Sequence, residues 1–229
     1  MSRIARAWRR MHRINVRGIH AVRTRVHTRI VRVRHPHSVK IVDVSNNNGA
    51  VDFHAVKKAG AVGVWLKVSE GTTFIDDTYL KNRTAAKAAG LKVGGYHFCH
   101  PGSPEATQVA FFVKHLVLEP GDLLPALDFE VGDGQSNSDL RAWISMALAL
   151  LKKDIGQQPV LYAGQYFVQD LPLHAPRWIP TYGAAPRVPG WAAWQFTDGQ
   201  AQYPGSICGL DTSIVPDLKS MTYSRPGSS

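Results

Sequence analysis

From Lys40 onward, short β-rich runs alternate with helix-like segments, and this rhythm narrows the available folds more than any other feature of the chain. The β-rich runs are Lys40–Ser45, Gly63–Ser69, Val93–Phe98, Leu124–Val131, Pro159–Ala163, Arg177–Tyr182, Ala192–Thr197 and Gly209–Val215. Helical patterns cover Phe53–Ala59, Asp77–Ala89, Pro104–Leu118 and Ser138–Lys153. Gly60 and Gly90 each follow an alanine-containing turn and read as helix stops. Eight strands with interleaved helices predict an α/β barrel. Between Arg177 and Val215 the connections are too short for full helices and rich in Pro and Gly. The last third of the barrel is therefore expected to be strands joined by loops. No apolar run approaches the roughly 20 residues that a membrane span needs, so no integral span is expected.

Charge divides the chain. Residues 1–40 carry eleven arginines and Lys40 with no Asp or Glu, whereas residues 41–229 carry fifteen Lys and Arg against seventeen acids. The body is near neutral, and any affinity for anionic partners belongs to the leader. We read residues 1–39 as a basic leader, 40–220 as the barrel domain and 221–229 as a flexible tail. The leader lacks the continuous apolar stretch of an ordinary cleaved signal. Ile4, Trp8, Met11, Val22, Val26, Ile30 and Val33 fall near steps of three and four, the pattern of a basic amphipathic helix on an anionic surface. A disordered basic arm fits the composition equally. Its partner would be anionic wall polymer, anionic lipid or nucleic acid. Cys99 and Cys208 are expected to be buried free thiols, a single long-range bridge being the alternative outside the cell.

The predicted strand ends carry the chemistry. In Leu124–Glu130, alternation puts Ala126, Asp128 and Glu130 on one face and Leu127 and Phe129 on the other. The apolar face can pack on helices while the other turns two carboxyls into the barrel mouth. Crowding and burial raise the pKa of one of them. One protonated acid beside one ionised acid is what glycosidic cleavage requires. Read as an isolated triplet, Asp128-Phe129-Glu130 is a weak signal, and one acid paired with a Lys or Arg in a structural salt bridge is the plainer reading. Asp43 and Asp211 add weight to the catalytic reading, because each also sits in an apolar strand. If the first and last strands meet at barrel closure, all four acids converge.

Seven short motifs occur in series: Asp43-Val44-Ser45, Lys67-Val68-Ser69-Glu70-Gly71, Gly95-Tyr96-His97-Phe98, Leu127-Asp128-Phe129-Glu130, Tyr162-Ala163-Gly164, Trp194-Gln195-Phe196-Thr197 and Leu210-Asp211. In order and spacing they resemble the glycoside hydrolase family 25 lysozymes, over about residues 40–215. The resemblance implies an irregular TIM-like (β/α)5(β)3 barrel. It implies a retaining N-acetylmuramidase that cuts the β-1,4 bond from N-acetylmuramic acid to N-acetylglucosamine in peptidoglycan. Glu130 matches the general acid/base, Asp128 the second carboxylate, and Asp43 and Asp211 the other two acidic positions. Tyr96, Tyr162 and Gln195 match groove-lining, substrate-binding positions. No cofactor or metal is implied. The expected state is a monomer acting at the bacterial cell wall, either as a phage lysin released from the host cytoplasm or as a secreted enzyme. Asn46-Asn47-Asn48-Gly49 departs from the family's usual aromatic and glutamine after the first strand, and the basic leader has no counterpart in its core domain.

Other residues read more plainly. His97 and His100 are expected to be hydrogen-bonding wall residues, since no third ligand has suitable spacing. Glu70 is expected to cap the turn at Gly71, and Lys67 to pair with an acid in the barrel interior. Trp143 reads as helix packing, while Trp65, Trp178, Trp191 and Trp194 leave open whether they stack on sugar rings. A chitinase-like site would need an acid at Ala126. The alternative from a different class is a catalytically inactive barrel serving as a wall-binding or virion structural module.

Overall fold

The computed structural model describes residues 37–168, 174–225 and 227. The leader reading therefore falls outside the described residues up to Pro36. Nine strands follow: β1 (Val39–Val44), β2 (Ala61–Glu70), β3 (Phe74–Ile75), β4 (Lys92–Phe98), β5 (Ala126–Phe129), β6 (Val160–Ala163), β7 (Arg177–Pro180), β8 (Ala193–Asp198) and β9 (Asp211–Val215). Helices α1 (Phe53–Lys58), α2 (Tyr79–Ala88), α3 (Glu105–His115), α4 (Asn137–Ile155) and α5 (Gln165–Val168) connect the earlier ones. Eight strands close the barrel in the order β1-β2-β4-β5-β6-β7-β8-β9, with β9 returning to β1. All neighbours up to β8 are parallel, and β9 runs antiparallel to both β8 and β1. The two-residue β3 pairs antiparallel with the end of β2. Five strand–helix units followed by three strands is the irregular barrel expected from the motifs.

Alternation along the strands builds two cores. Val42, Val64, Leu66, Leu127, Phe129 and Leu161 face the helices. Ile41, Trp65, Ala126, Val160, Tyr162 and Trp178 belong to the second cluster, inside the barrel. Helix α4 shows the matching 3.6-residue logic: Leu140, Trp143, Ile144, Ala147, Leu148, Leu151 and Ile155 form its buried stripe. Ser136 caps its start by accepting from the Asp139 amide, and Gly156 ends it in the left-handed conformation at φ 75°.

The barrel floor is aromatic. Trp65 and Trp178 stack with centroids 4.3 Å apart, and Tyr162 meets Trp178 edge-on at 4.6 Å. The indole N–H of Trp65 donates to the Leu124 carbonyl (3.0 Å) and that of Trp178 to Ser213 Oγ (2.8 Å). Gly94 lies beside Trp65 in the β2–β4 register, and a Cβ there would sit 2.5 Å from Trp65 Cδ1. The indole occupies the space that any side chain at position 94 would need. Trp65 and Trp178 are thus structural, which removes both as sugar platforms. Trp143 packs in the α4 stripe as expected, its N–H donating to the Ser103 carbonyl at 2.9 Å.

Two expectations change. Residues 221–223, assigned to the flexible tail, are tied to the body. Leu124 N donates to Met221 O and Tyr223 N to Asp122 O, and Met221 is fully buried. The side chains of Leu123, Leu124 and Met221 plug the lower end of the barrel. Both cysteines are free, but only Cys99 is buried; Cys208 is exposed. Among the described residues, no helix is long and apolar enough to cross a membrane.

Candidate active site

The mouth of the barrel lies one inward-facing residue above that floor. On β1, the step from Ile41 leads to Asp43; on β5, the step from Ala126 leads to Asp128. Glu130 follows one residue after β5 ends. Asp211 opens β9 and pairs in register with Asp43 on one side and Asp198 on the other. Because β9 is antiparallel, its first residue reaches the same end of the barrel as the last residues of the parallel strands. Asp211 thus reaches the mouth from the amino end of a reversed strand.

Burial and mutual repulsion raise the proton affinity of these acids. Desolvation, with the charge of Glu130 added and the Gln195 hydrogen bond opposing, lifts Asp43 to about 7. Desolvation lifts Glu130 to about 7, aided by Asp211 and opposed by its hydrogen bond with Asp128 and by the Lys67 charge. Asp211 rises to about 8 through desolvation and then the charges of Asp43 and Asp198. Asp128 is pushed well above the carboxylate range by desolvation and then by Glu130. Asp128 and Glu130 are close enough that the protonation of each depends on the other. Asp128 Oδ1 is buried and has no hydrogen-bond partner among the described residues. Such a buried acceptor is costly unless something else binds it.

The three groove residues take different positions. Burial raises the Tyr96 phenol well above its usual range, and Asp128, Asp43, Glu130 and Asp211 all add to the shift, so this ring stands among the four acids. Gln195 is buried, and its bonds fix its orientation. Its Oε1 accepts from Tyr162 (2.8 Å) and Tyr182 (3.2 Å), while its Nε2 donates to Asp43 Oδ2 (3.0 Å). The two phenols fix which end of the amide faces Asp43, so that Oδ2 is held as an acceptor.

Three participants escaped the sequence reading as site residues. Tyr182 lies two residues past β7, a polar aromatic just beyond a strand end. Asp198 comes opposite Asp211 through an irregularity between Gln195 and Thr197, and no sequence signal marks such a shift. Lys67 was expected to pair with an interior acid; its bonded partner is Glu70 at the rim. Glu70 in turn holds Lys67 and His100, while the Gly71 amide is satisfied by Phe98 O. His97 is a wall residue bonded to Ser69 Oγ (2.9 Å) and Gln108 Oε1 (3.2 Å), and burial lowers its pKa to about 4. Among the described residues, no group of His, Cys, Asp and Glu is arranged to hold a metal ion.

An eight-stranded α/β barrel whose mouth gathers carboxyl groups is an architecture of glycoside hydrolases. The chain belongs to glycosyl hydrolases family 25, which it matches over residues 42–205. It is 33% identical over 190 residues to the autolytic lysozyme of Clostridium acetobutylicum, covering 78% of this chain and 55% of that protein. It is 30% identical over 184 residues to the N,O-diacetylmuramidase of Arthroderma benhamiae, covering 70% of this chain and 77% of that one. The family 25 glycosyl hydrolase of Bacillus anthracis superposes with a TM-score of 0.69 at 25% identity, over 77% of this chain and 88% of that chain. The chain spans about half the length of the first curated relatives it matches, at 55% and 52%.

Proposed function

We propose that this chain is a retaining N-acetylmuramidase that hydrolyses the β-1,4 bond between N-acetylmuramic acid and N-acetylglucosamine in peptidoglycan. The observation that carries the reading is the close pair Asp128–Glu130, crowded by Asp43 and Asp211 in a partly desolvated mouth, with Asp128 Oδ1 buried and unpartnered among the described residues. Glu130, held protonated up to about neutral pH, gives its proton to the leaving glycosidic oxygen. Direct attack by Asp128 needs a free carboxylate, which its burial and the neighbouring Glu130 disfavour. Asp128 instead orients the 2-acetamido group of the muramic residue, with Oδ1 as the acceptor for its N–H. The acetamido oxygen bonds to the anomeric carbon as the C–O bond to the leaving sugar breaks. Water then opens that intermediate while ionised Glu130 takes its proton. Two inversions retain the anomeric configuration. Tyr96 stands beside the acids to line the groove, and Gln195, steadied by Tyr162 and Tyr182, holds Asp43.

The names of the lysozyme and muramidase relatives support this substrate class. The test is product analysis on purified peptidoglycan. The reading expects new reducing ends on N-acetylmuramic acid, first in the β configuration, and resistance of de-N-acetylated glycan. Reducing N-acetylglucosamine ends, or wall binding with no cleavage, would reject it; the second result is that of an inactive wall-binding module. Residues 1–39 are proposed to add affinity for anionic wall polymer or membrane surface, and the chain to act as a monomer at the wall after phage-type release or secretion. Co-sedimentation of the full chain should weaken with salt and exceed that of a 39–229 truncation.

A further inference from the structure

Behind the acid pair stands a chain of four charged or ionisable side chains drawn from three mouth segments. Lys67 faces inward on β2, two residues beyond Trp65 of the floor, and only 9% of its side chain is exposed. Its ammonium lies 5.3 Å from the Phe74 ring and 5.2 Å from the Phe98 ring, and it bonds Glu70 Oε2. Glu70 Oε1 faces His100 Nε2 at 3.1 Å, and His100 Nδ1 faces Asp133 Oδ2 at 3.2 Å. Asp133, three residues after Glu130, also accepts from the Gly102 amide at 3.2 Å. Both nitrogens of His100 thus meet carboxylates, and a neutral ring can donate to only one of them.

We propose that Lys67 and Glu70 are positioning residues that set the proton affinity of the Asp128–Glu130 pair, Lys67 lending it a positive field that Glu70, held by His100, partly cancels. The proposal rests on the reading of that pair as the reacting acid and its partner. Two aromatic rings and the rim carboxylate keep the ammonium close to the mouth, in a setting that water screens poorly. Glu70, Phe98 and Asp128 lie level with one another across β2, β4 and β5, so the ammonium over the Phe98 ring faces the acid pair, with Glu130 just past the end of β5. The titratable groups around it are Glu70, Asp128, Glu130 and the neutral His97 of β4, and beyond Glu70 come His100 and Asp133. Electrostatics agrees with the geometry: the Lys67 charge favours the ionised forms of both Asp128 and Glu130, against the effect of burial. Without Lys67 the pair would keep its proton to higher pH. Without the negative charge of Glu70 it would lose it at lower pH.

The test is a carboxyl-carbon NMR titration of Asp128 and Glu130 in the full chain, comparing wild type with Lys67→Met and Glu70→Gln. The expected result is a shift in opposite directions by about half a pH unit or more, upward for Lys67→Met and downward for Glu70→Gln. A role confined to packing would not separate the two signs. If Lys67→Met fails to fold, the isosteric Glu70→Gln decides alone. Unmoved midpoints, shifts of the same sign, or an upward shift in Glu70→Gln overturn the proposal. In an active enzyme the alkaline limb of kcat/KM follows the same directions. Opposite shifts in a protein that releases no reducing ends would leave this inference standing and remove the muramidase reading. Normal cleavage with unmoved midpoints would do the reverse.

Discussion

On β2, Trp65 lies in the floor of the barrel and Lys67 stands at its mouth. On β5 the same step separates Ala126 from Asp128, on β1 Ile41 from Asp43, and on β8 Ala193 from Gln195. Two residues of strand, about 7 Å of rise, take each of these strands from apolar filling to polar or charged chemistry. The floor is close-packed, and its buried indole N–H groups are satisfied. The mouth crowds four acids and leaves Asp128 Oδ1 without a partner among the described residues. The contrast shows how one barrel divides its labour by height. Dry aromatic packing below withholds solvent from the carboxyls above, and that desolvation is the largest cause of every raised carboxyl at the mouth. The fold stores stability in the floor and tolerates repulsion at the mouth, where the proposed chemistry lies.

The comparison can be broken from either side. The largest expected effect comes from the mouth. Glu130→Gln should slow peptidoglycan clearing by about 100-fold or more, with a melting temperature unchanged or raised, because a repelled carboxyl is removed. A large fall in melting temperature would make Glu130 structural. From the floor, Trp65→Ala should cost about 3–5 kcal/mol in urea unfolding by emptying a fully buried site. A cost near zero would mean that the floor does not carry the stability assigned to it. The smallest effect sharpens the border between the layers. Tyr182→Phe removes one of two phenols on Gln195 Oε1 and leaves Tyr162 in place. The rate should fall by roughly tenfold or less, the worth of about one hydrogen bond, with KM little changed. A change in KM alone would place Tyr182 on the substrate instead.

Much of this arrangement is legible in the sequence because strands alternate strictly. Leu127 and Phe129 could only face the helices if Asp128 faced the interior, and the apolar settings of Asp43 and Asp211 gave them inward positions of the same kind. What escaped depends on facts that alternation does not carry. The direction of β9 follows from barrel closure through short loops, so Asp211 reaches the mouth from a reversed strand. Asp198 arrives through a register irregularity. Whether a tryptophan fills a floor or meets a sugar depends on which end of the barrel it occupies and on what stands opposite. For Trp65 that neighbour is Gly94, which only pairing reveals. Residues 221–223 look like a tail in composition and are held by long-range backbone bonds to residues 121–124.

The central claim is that the mouth acids keep their protons because the fold desolvates and crowds them, and stability measured against pH tests it most directly. Asp43, Glu130 and Asp211 titrate at about 7, 7 and 8 when folded, against ordinary values of 3.8, 4.5 and 3.8. Between those limits the folded chain binds more protons than the unfolded one, so these groups lower stability as pH rises from about 4 to about 8. His97, kept neutral by burial, works the other way between about 4 and 6.5, so the informative quantity is the difference between wild type and the Asp43→Asn and Asp211→Asn variants. The account predicts that each variant gains stability over wild type as pH rises through that window. Parallel curves, or a growing advantage for wild type, would contradict it.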